Sequence, residues 1–306
     1  MRLISLLNIT FYTKVRSRVV LEMPGKSEPN LFQAGAGKVV ITPPVGFVIG
    51  GPEHPERVST GIADDLLARV IVLESQGNRI ALISLDVWGL AKPVLDSIKR
   101  AITVSTHIPE DSIWLTVTGN GTTPPLWRDE PLYANYTTYL PEQVNGAVQA
   151  ALRSMEPASM GSTGILLPEV STFIDGPGLP GNPALFVVAI NRADGTGIAR
   201  LMNFACPATI TGPSTMWTAD YPGYACWALE QNGGGLSLFS QAPSHDIRPF
   251  DWWIQNTDPT HSARNPKDVH AFGLLLATQA DNAAAETVQR RNVEIAIRAD
   301  EATGIH

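Results

Sequence analysis

Two periods of hydrophobic and polar residues run along the chain, one typical of strands and the other of helices. The β-branched, apolar runs at 66–73 and 79–85 flank Gln76-Gly77-Asn78 and predict a β-hairpin with a tight turn. Similar runs predict strands at 113–118, 184–190, 198–204 and 236–240. Apolar residues at helical spacing predict helices at 93–102, 141–155, 221–231 and 266–288. Together they predict an α/β fold, a single domain with a mixed β-sheet covered by helices.

The first 30 residues are set apart from the rest of the chain. They end in the breaker-rich stretch PGKSEPN, so we predict an N-terminal leader or tail at 1–30 and the main domain at 31–306. The apolar run at 1–9 is short and lacks a small-residue cleavage site, which argues against a signal peptide. No stretch reaches the ~20 apolar residues that cross a bilayer, so we expect no transmembrane anchor.

Four long connections interrupt the periodic pattern, at 43–64, 120–138, 169–183 and 242–265. They are rich in Gly, Pro and Trp. Long loops are uncommon in compact domains and carry functional residues disproportionately often. We therefore expect a functional site on the loops rather than on the sheet.

Composition and charge narrow the classes of partner. Hydrophobic residues make up 44% and charged residues 17% of the chain, a balance typical of a folded globular protein. With 22 Lys and Arg against 29 Asp and Glu, the chain lacks the basic surface that nucleic-acid phosphates require, so we expect no nucleic-acid partner. Cys206 and Cys226 lie in apolar stretches and are expected to be buried free thiols, with a single disulfide as the alternative.

Four motifs carry a resemblance to a known family. They are AGAGKVVITPPVG (34–46), LARV to SLD (67–86), NFAC with ADYPG (203–223) and QAPSHDIRP (241–249). In order and spacing they resemble the N-terminal catalytic domain of the neutral/alkaline, non-lysosomal ceramidases, over roughly residues 33–290. The chain is identified as a divergent member of that family by this resemblance.

The resemblance implies amide-bond hydrolysis of N-acylsphingosine-type lipids by a zinc ion that polarises the amide and activates water. The family draws its zinc histidines from an A-T-H-T-H-S-G-P loop and an N-F-A-C-H-P-T motif. Gly119, Gly121 and Pro207 stand at those positions here, and none of these side chains can bind a metal. We therefore predict no cofactor for this chain. The family's P-G-E glutamate and its tyrosine ligand have no counterpart before His306, which suggests a domain truncated at its C-terminal end.

The loop that contains Asp246 supplies the candidate catalytic residues. Asp246 next to His245 could form an acid/base pair, because a carboxylate that orients an imidazole tunes it for proton transfer. Arg248 stands where characterised ceramidases carry a catalytic serine. The alternative for His245 is a loop histidine with an ordinary structural role.

A second set of residues is predicted to line a substrate pocket. Asp86 ends a strand and Asp220 precedes a Tyr-Pro-Gly turn, at places where family members direct polar groups towards the metal; Asn120 lies in the loop after a strand. The alternative for Asp220 is a cap on the following helix. Trp217 and Trp252 could line an apolar lipid slot or could pin long loops to the core.

Three functions remain open from the sequence. The first is a ceramidase-like hydrolase whose competence is in doubt because the zinc histidines are replaced. The second is a catalytically inactive homologue that binds a lipid or a protein partner, and the third is a metal-independent hydrolase that uses the Asp246 loop. Lipids or small-molecule amides are the expected ligands. The resemblance is compatible with a secreted or periplasmic protein, and the sequence assigns no oligomeric state.

Overall fold

A large mixed β-sheet organises the chain. The computed structural model describes residues 7–10, 15–22, 32–50, 57–128, 133–167, 170–173, 184–244, 247–249 and 266–301. The strands, in chain order, are β1 (Leu7–Thr10), β2 (Val15–Glu22), β3 (Gln33–Val40), β4 (Val48–Ile49), β5 (Arg57–Val58), β6 (Gly61–Ile62), β7 (Leu67–Ser75), β8 (Asn78–Leu85), β9 (Ile113–Val117), β10 (Glu156–Leu166), β11 (Ser171–Phe173), β12 (Ala184–Arg192), β13 (Gly197–Phe204), β14 (Met216–Trp217), β15 (Leu236–Gln241), β16 (Ile247–Pro249) and β17 (Glu294–Glu301). The helices are α1 (Lys92–Thr106), α2 (Ala134–Arg153), α3 (Asp220–Gln231) and α4 (Pro266–Ala285).

Eight strands form the main sheet in the order β15-β13-β12-β10-β3-β7-β8-β9. One half, β3-β7-β8-β9, is antiparallel except for the parallel pair β8 and β9, and the other half, β10-β12-β13-β15, ends in the parallel pair β13 and β15. Only two residue pairs, Glu156 with Ala34 and Pro157 with Gln33, join β10 to β3 in the described residues. The predicted mixed sheet is confirmed.

The predicted hairpin and helices agree with the structure except at some boundaries. The β7–β8 turn consists of Gln76 and Gly77, both with positive φ (53° and 78°), as a two-residue hairpin turn requires. Helix α2 begins at Ala134 rather than at the predicted Pro141, which lies inside the helix. The added residues at 134–140 follow buried Tyr133, whose ring lies 5.3 Å from that of Phe47.

The helices cover the two halves of the sheet separately. Helices α1 and α2 pack on the β3-β7-β8-β9 half, while α3 and α4 pack on the other half. Gly35 and Gly37, from the first family-like motif, allow α2 to lie directly on β3. A Cβ at Gly37 would approach the Ala147 carbonyl oxygen to 2.3 Å, and one at Gly35 would approach that of Ala151 to 2.1 Å.

A third apolar cluster fills the space between the two halves, here called the interior layer. It includes Ile71, Leu73, Ile80, Leu82 and Trp114 from one half and Met160, Val188, Ile190, Leu201 and Leu238 from the other. These positions alternate along each strand with residues that face the helices. Strand periodicity therefore determines which residues enter this layer.

A small second sheet involves the predicted N-terminal leader. Strand β2 pairs antiparallel with both β1 and β17, so residues 15–22 lie beside residues 294–301. The division of the chain at residue 30 stays a prediction. Cys206 and Cys226 are both buried and free, as expected. Among the described residues, no helix is long and apolar enough to cross a bilayer.

Candidate functional site

The interior layer changes from apolar to polar towards one end, here called the polar end. It comprises Arg69, Ser84, Asp86, Thr116, Thr118, Asn203 and Ser240, all of them buried. Each continues the inward-facing alternation of its strand, as Ser84 and Asp86 do after Ile80 and Leu82. The C-terminal ends of β8, β9, β13 and β15 therefore bring polar side chains together beneath the loops.

Polar contacts at this end connect the two halves of the sheet. The Ser84 hydroxyl donates to the Phe239 carbonyl at 2.5 Å, and the Thr116 and Ser240 hydroxyls lie 3.4 Å apart. Within the second half, Asn203 donates from Nδ2 to the Ser240 carbonyl and hydroxyl oxygens, each at 3.1 Å. Since Thr116 is on β9 and Ser240 is on β15, at opposite ends of the strand order, their contact shows that the sheet curls so that its two edge strands approach each other.

A buried ion pair between Arg69 and Asp86 lies at the centre of the polar end. Asp86 Oδ2 accepts from Arg69 Nη1 at 2.6 Å and from the Leu67 N–H at 2.9 Å. Burial raises the pKa of the Asp86 carboxyl, and Arg69 and the Leu67 N–H oppose this by stabilising its ionised form. The other carboxylate oxygen, Oδ1, and the Arg69 Nε have no hydrogen-bond partner among the described residues.

The loop after β9, predicted to carry the site, folds against the 205–220 region. Gly119 has a positive φ of 69°, and Asn120 Oδ1 accepts from the Thr122 N–H at 3.0 Å and from its hydroxyl at 2.8 Å. Asn120 Nδ2 donates to the Thr218 carbonyl. Asn120 therefore holds two loops together, and these hydrogen bonds are structural. Next to it, the buried Thr118 hydroxyl has no partner in the described part of the chain.

Gly119, Gly121 and Pro207, predicted from the sequence to be vacated zinc positions, do not fit a zinc ion. The Gly121 N–H lies 3.5 Å from the carbonyl of Ala208, next to Pro207, so the two loops that contain these residues do meet. A Cβ at Gly119 would lie 3.5 Å from the Gln241 side chain, which fills the adjoining space. Glycine and proline offer no side-chain donor atoms, and in the described residues no three His, Cys, Asp or Glu side chains converge.

Asp220 holds a strained turn at the start of α3. It has a φ of 52°, unusual for a residue other than glycine, and its carboxylate accepts from the N–H groups of Thr211 and Tyr221, each at 2.7 Å. Burial raises the pKa of the Asp220 carboxyl, which these N–H groups oppose. The N-cap residue Ala219 makes no side-chain cap bond, but the Asp220 carboxylate takes up the free Tyr221 N–H of the first turn, as the capping alternative expects, and it also ties the helix to the 209–211 turn.

Asp64, absent from the predicted site, holds the preceding residues. Its carboxylate accepts from the Thr218 hydroxyl at 2.5 Å and the Ala219 N–H at 2.6 Å. Burial raises the pKa of the Asp64 carboxyl, and the nearby Asp86 and Asp220 carboxylates add to the increase against these two donors. Three carboxylates and the Arg69 guanidinium thus lie in one electrostatic neighbourhood.

The structure describes only some of the predicted tryptophans and catalytic residues. Trp217 is fully buried in the cluster under α1 and α2, which fits a residue that pins a loop to the core. Trp252, His245 and Asp246 lie outside the described residues. Of Arg248 only the backbone is described, in β16, where it pairs with Thr172.

Sequence analysis missed Arg69, Thr118 and Gln241 as members of this site. All three lie within or just after predicted strands, whereas the functional site was expected on the loops. The detectable signal was a polar residue at an alternating inward position, as in Trp114-x-Thr116-x-Thr118. Which end of each strand meets the other strands could not be known before the sheet topology.

Comparison with known proteins identifies the fold. No protein-family model and no curated protein matches the chain. Among solved structures it is similar to the neutral ceramidase from Pseudomonas aeruginosa, with a TM-score of 0.73 and 18% sequence identity, over 85% of this chain and 45% of that one. It is also similar to a ceramidase complexed with C2, with a TM-score of 0.73 and 18% identity, over 84% and 44% of the two chains. The chain therefore has a ceramidase-like fold and spans less than half the length of these structures.

Proposed function

We propose that this chain is a lipid-binding domain with a ceramidase-like fold that has exchanged the zinc-dependent hydrolysis of the family for binding. The observation that carries the proposal is the identity of the residues on the loops above the polar end. The loops of Gly119, Gly121 and Pro207 meet at the polar end, yet these residues supply no metal donor.

The contacts around these loops support a binding role. Neighbouring loop backbone and hydroxyl groups form hydrogen bonds with the side chains of Asn120, Asp64 and Asp220. These bonds fix the walls of the site. Burial raises the pKa of the Cys206 thiol, next to Pro207, well above its ordinary value, which disfavours the reactive thiolate. An N-acylated sphingoid lipid is the proposed ligand, by similarity to the ceramidase structures.

Metal content, ligand binding and turnover test the proposal together. Purified protein is analysed for zinc, titrated with a fluorescent ceramide, and assayed for release of the fatty acid, with and without a chelator. We expect saturable binding that the chelator leaves unchanged, together with no turnover. Stoichiometric zinc combined with turnover that the chelator abolishes would contradict the proposal in favour of the family reaction.

A metal-independent hydrolase is the second candidate, and one contact favours it. The Gln241 side chain lies against Gly119 and donates from Nε2 to the Ser244 hydroxyl at 2.6 Å, so the loop that leads to His245 and Asp246 starts at the polar end. Asp246 and His245 would activate water, and the Arg248 guanidinium would hold the oxyanion. Turnover without metal that Asp246→Asn abolishes would favour this candidate over simple binding.

A further inference from the structure

An exposed apolar surface lies on the outside of helices α3 and α4, here called the α3–α4 patch. It consists of Tyr224, Trp227, His270 and Leu274. Trp227 is 51% and Leu274 50% exposed, and His270 is exposed as well. The Tyr224 ring joins them, because its centroid is 5.1 Å from that of Trp227 and 4.3 Å from that of His270, on which it stacks. His270 and Leu274 are neighbours at i and i+4 of α4, so the patch is continuous.

The local sequence creates this patch and holds the two helices together. Gly273 allows α4 to lie directly on α3, since a Cβ there would be 2.9 Å from Tyr224 Cδ1 and 3.0 Å from the Tyr221 carbonyl oxygen. The segment VHAFGLLLATQA (269–280) contains no charged residue. One side of it, including Leu276, is buried in the apolar cluster beneath the helices. The opposite side therefore presents apolar residues to solvent, where an ordinary surface helix is polar.

The size of the patch argues against a second copy of the chain as its partner. Leu275, which is 43% exposed, extends the patch along α4. The half-exposed side chains together present roughly 300–400 Å² of apolar surface, below the ~800 Å² per partner that a stable dimer buries. A surface of this size on a monomer is nevertheless large enough to have a function.

The charge of the patch argues for a neutral partner. None of its four side chains is a carboxylate, a lysine or an arginine. Glu230, one turn beyond Trp227, forms an ion pair with Lys38 at 2.5 Å, so the charge nearest along α3 is neutralised. Contact with this patch therefore depends on burial of apolar surface rather than on attraction between charges.

The residue types are those found where a protein meets the boundary between lipid and water. Trp and Tyr are enriched there because each ring is apolar and carries one polar N–H or O–H group, and leucine inserts among acyl chains. The position also fits a role in lipid binding. Tyr224 is one turn beyond Asp220, about 6 Å along the helix axis, so the patch begins close to the candidate site.

We propose that the α3–α4 patch docks this chain onto a lipid bilayer, with Trp227 and Leu274 inserted into a zwitterionic surface. The inference rests on the proposed function, because an N-acylated sphingoid lipid partitions into bilayers and its binding domain has to meet one. It adds the partner, a phosphatidylcholine-type surface. Since the chain has a formal charge of −7, anionic lipid should not strengthen the contact.

Vesicle flotation tests the docking. The full chain is mixed with large unilamellar vesicles of phosphatidylcholine and floated through a density gradient. We expect the bound fraction to persist between about 0.1 M and about 1 M NaCl, because salt does not screen apolar contacts. Vesicles that also contain phosphatidylserine should bind no more protein. Binding that requires phosphatidylserine and disappears at high salt would overturn the inference.

The decisive variant is Trp227→Ala/Leu274→Ala. Both side chains are half-exposed and alanine suits a helix, so the variant keeps the fold. It should lower the partition coefficient into phosphatidylcholine vesicles at least about tenfold. The control is Val104→Ala/Tyr139→Ala, which removes side chains that are 72% and 59% exposed from α1 and α2. The control should partition as the wild type does, and an equal loss in both variants would contradict the assignment of the surface.

The outcomes separate this inference from the proposed function. A short-chain fluorescent ceramide offered in solution reports on the ligand site alone, and the patch variant should bind it as tightly as the wild type does. Equal vesicle partitioning of the wild type and the patch variant, or a dimer in sedimentation velocity that the patch variant abolishes, would overturn the inference while ceramide binding still supported the function. Patch-dependent vesicle binding without ceramide binding would overturn the function and support the docking surface.

Discussion

The two ends of the interior layer are built from the same strands and differ in one respect. At the apolar end, residues such as Ile71, Leu82 and Trp114 pack between the halves of the sheet. At the polar end, the next inward positions of these strands are Arg69, Ser84 or Thr116. One end gains stability from burial of apolar surface, while the other buries polar groups that packing alone cannot satisfy.

This difference shows that the interior layer contains both the apolar residues that stabilise the fold and the polar residues of the candidate site. Buried polar groups without partners are costly, and a chain under selection for stability alone would replace them with apolar side chains. Asp86 Oδ1 and Thr118 Oγ1 are such groups. Their retention beside the loops that close the site is the expected mark of a functional surface.

The largest effect should come from breaking the ion pair at the polar end. Arg69→Met leaves the Asp86 carboxylate buried without its partner and should lower the free energy of unfolding by about 4 kcal/mol. The double variant Arg69→Met/Asp86→Leu should lose clearly less, because no charge stays buried. Urea unfolding of the single and double variants measures both. If the losses of Arg69→Met and of Asp86→Leu simply add in the double variant, packing rather than charge stabilises this end.

A slightly smaller loss is expected at the apolar end. Ile71→Ala, on the same strand as Arg69, removes a fully buried side chain from the interior layer. We expect the free energy of unfolding to fall by about 3 kcal/mol from lost burial and the cavity left behind. This loss should be the same with and without the Asp86→Leu change, since it does not involve charge. A loss below about 1 kcal/mol would mean that the interior layer is poorly packed at this position.

The buried Asp220 carboxyl should also make stability depend on pH. Burial raises the pKa of the Asp220 carboxyl, so the native state binds its proton more tightly than the unfolded state. The contribution of Asp220 to the free energy of unfolding therefore falls as the pH rises from about 4 towards the native pKa. Unfolding of the wild type and of Asp220→Asn at about pH 4.5 and about pH 7 should show their difference shrinking at the higher pH. A difference that grows with pH would mean that folding lowers, rather than raises, the pKa of the Asp220 carboxyl.

The smallest effect on stability is expected for Thr118→Val. Because the Thr118 hydroxyl has no partner among the described residues, its removal should leave the free energy of unfolding within about 0.5 kcal/mol of the wild type, or raise it. Thermal unfolding of the variant next to Thr116→Val, whose hydroxyl faces Ser240, is the comparison. Equal losses from both variants would mean that Thr118 also has a structural partner.

Much of the fold was predictable because strand and helix periods are local. The hairpin of β7 and β8, the strands at 113–117, 184–192 and 236–241, and three helices with small boundary shifts follow from hydrophobic spacing. Strand β10 (Glu156–Leu166) was missed, since its sequence EPASMGSTGIL has few β-branched residues. It forms nonetheless because β12 on one side and β3 on the other supply its partners.

By itself the sequence determined the fold class, the motifs that resemble those of ceramidases and the absence of side-chain metal donors at Gly119, Gly121 and Pro207, since these depend only on residue identity and spacing. The tertiary structure decided that Asp86 and Thr118 are neighbours, because they lie far apart in the chain and meet only where the parallel strands β8 and β9 end. It also made Asp220 a tether of the 209–211 turn. Such contacts depend on topology and register, which a local pattern of residues does not encode.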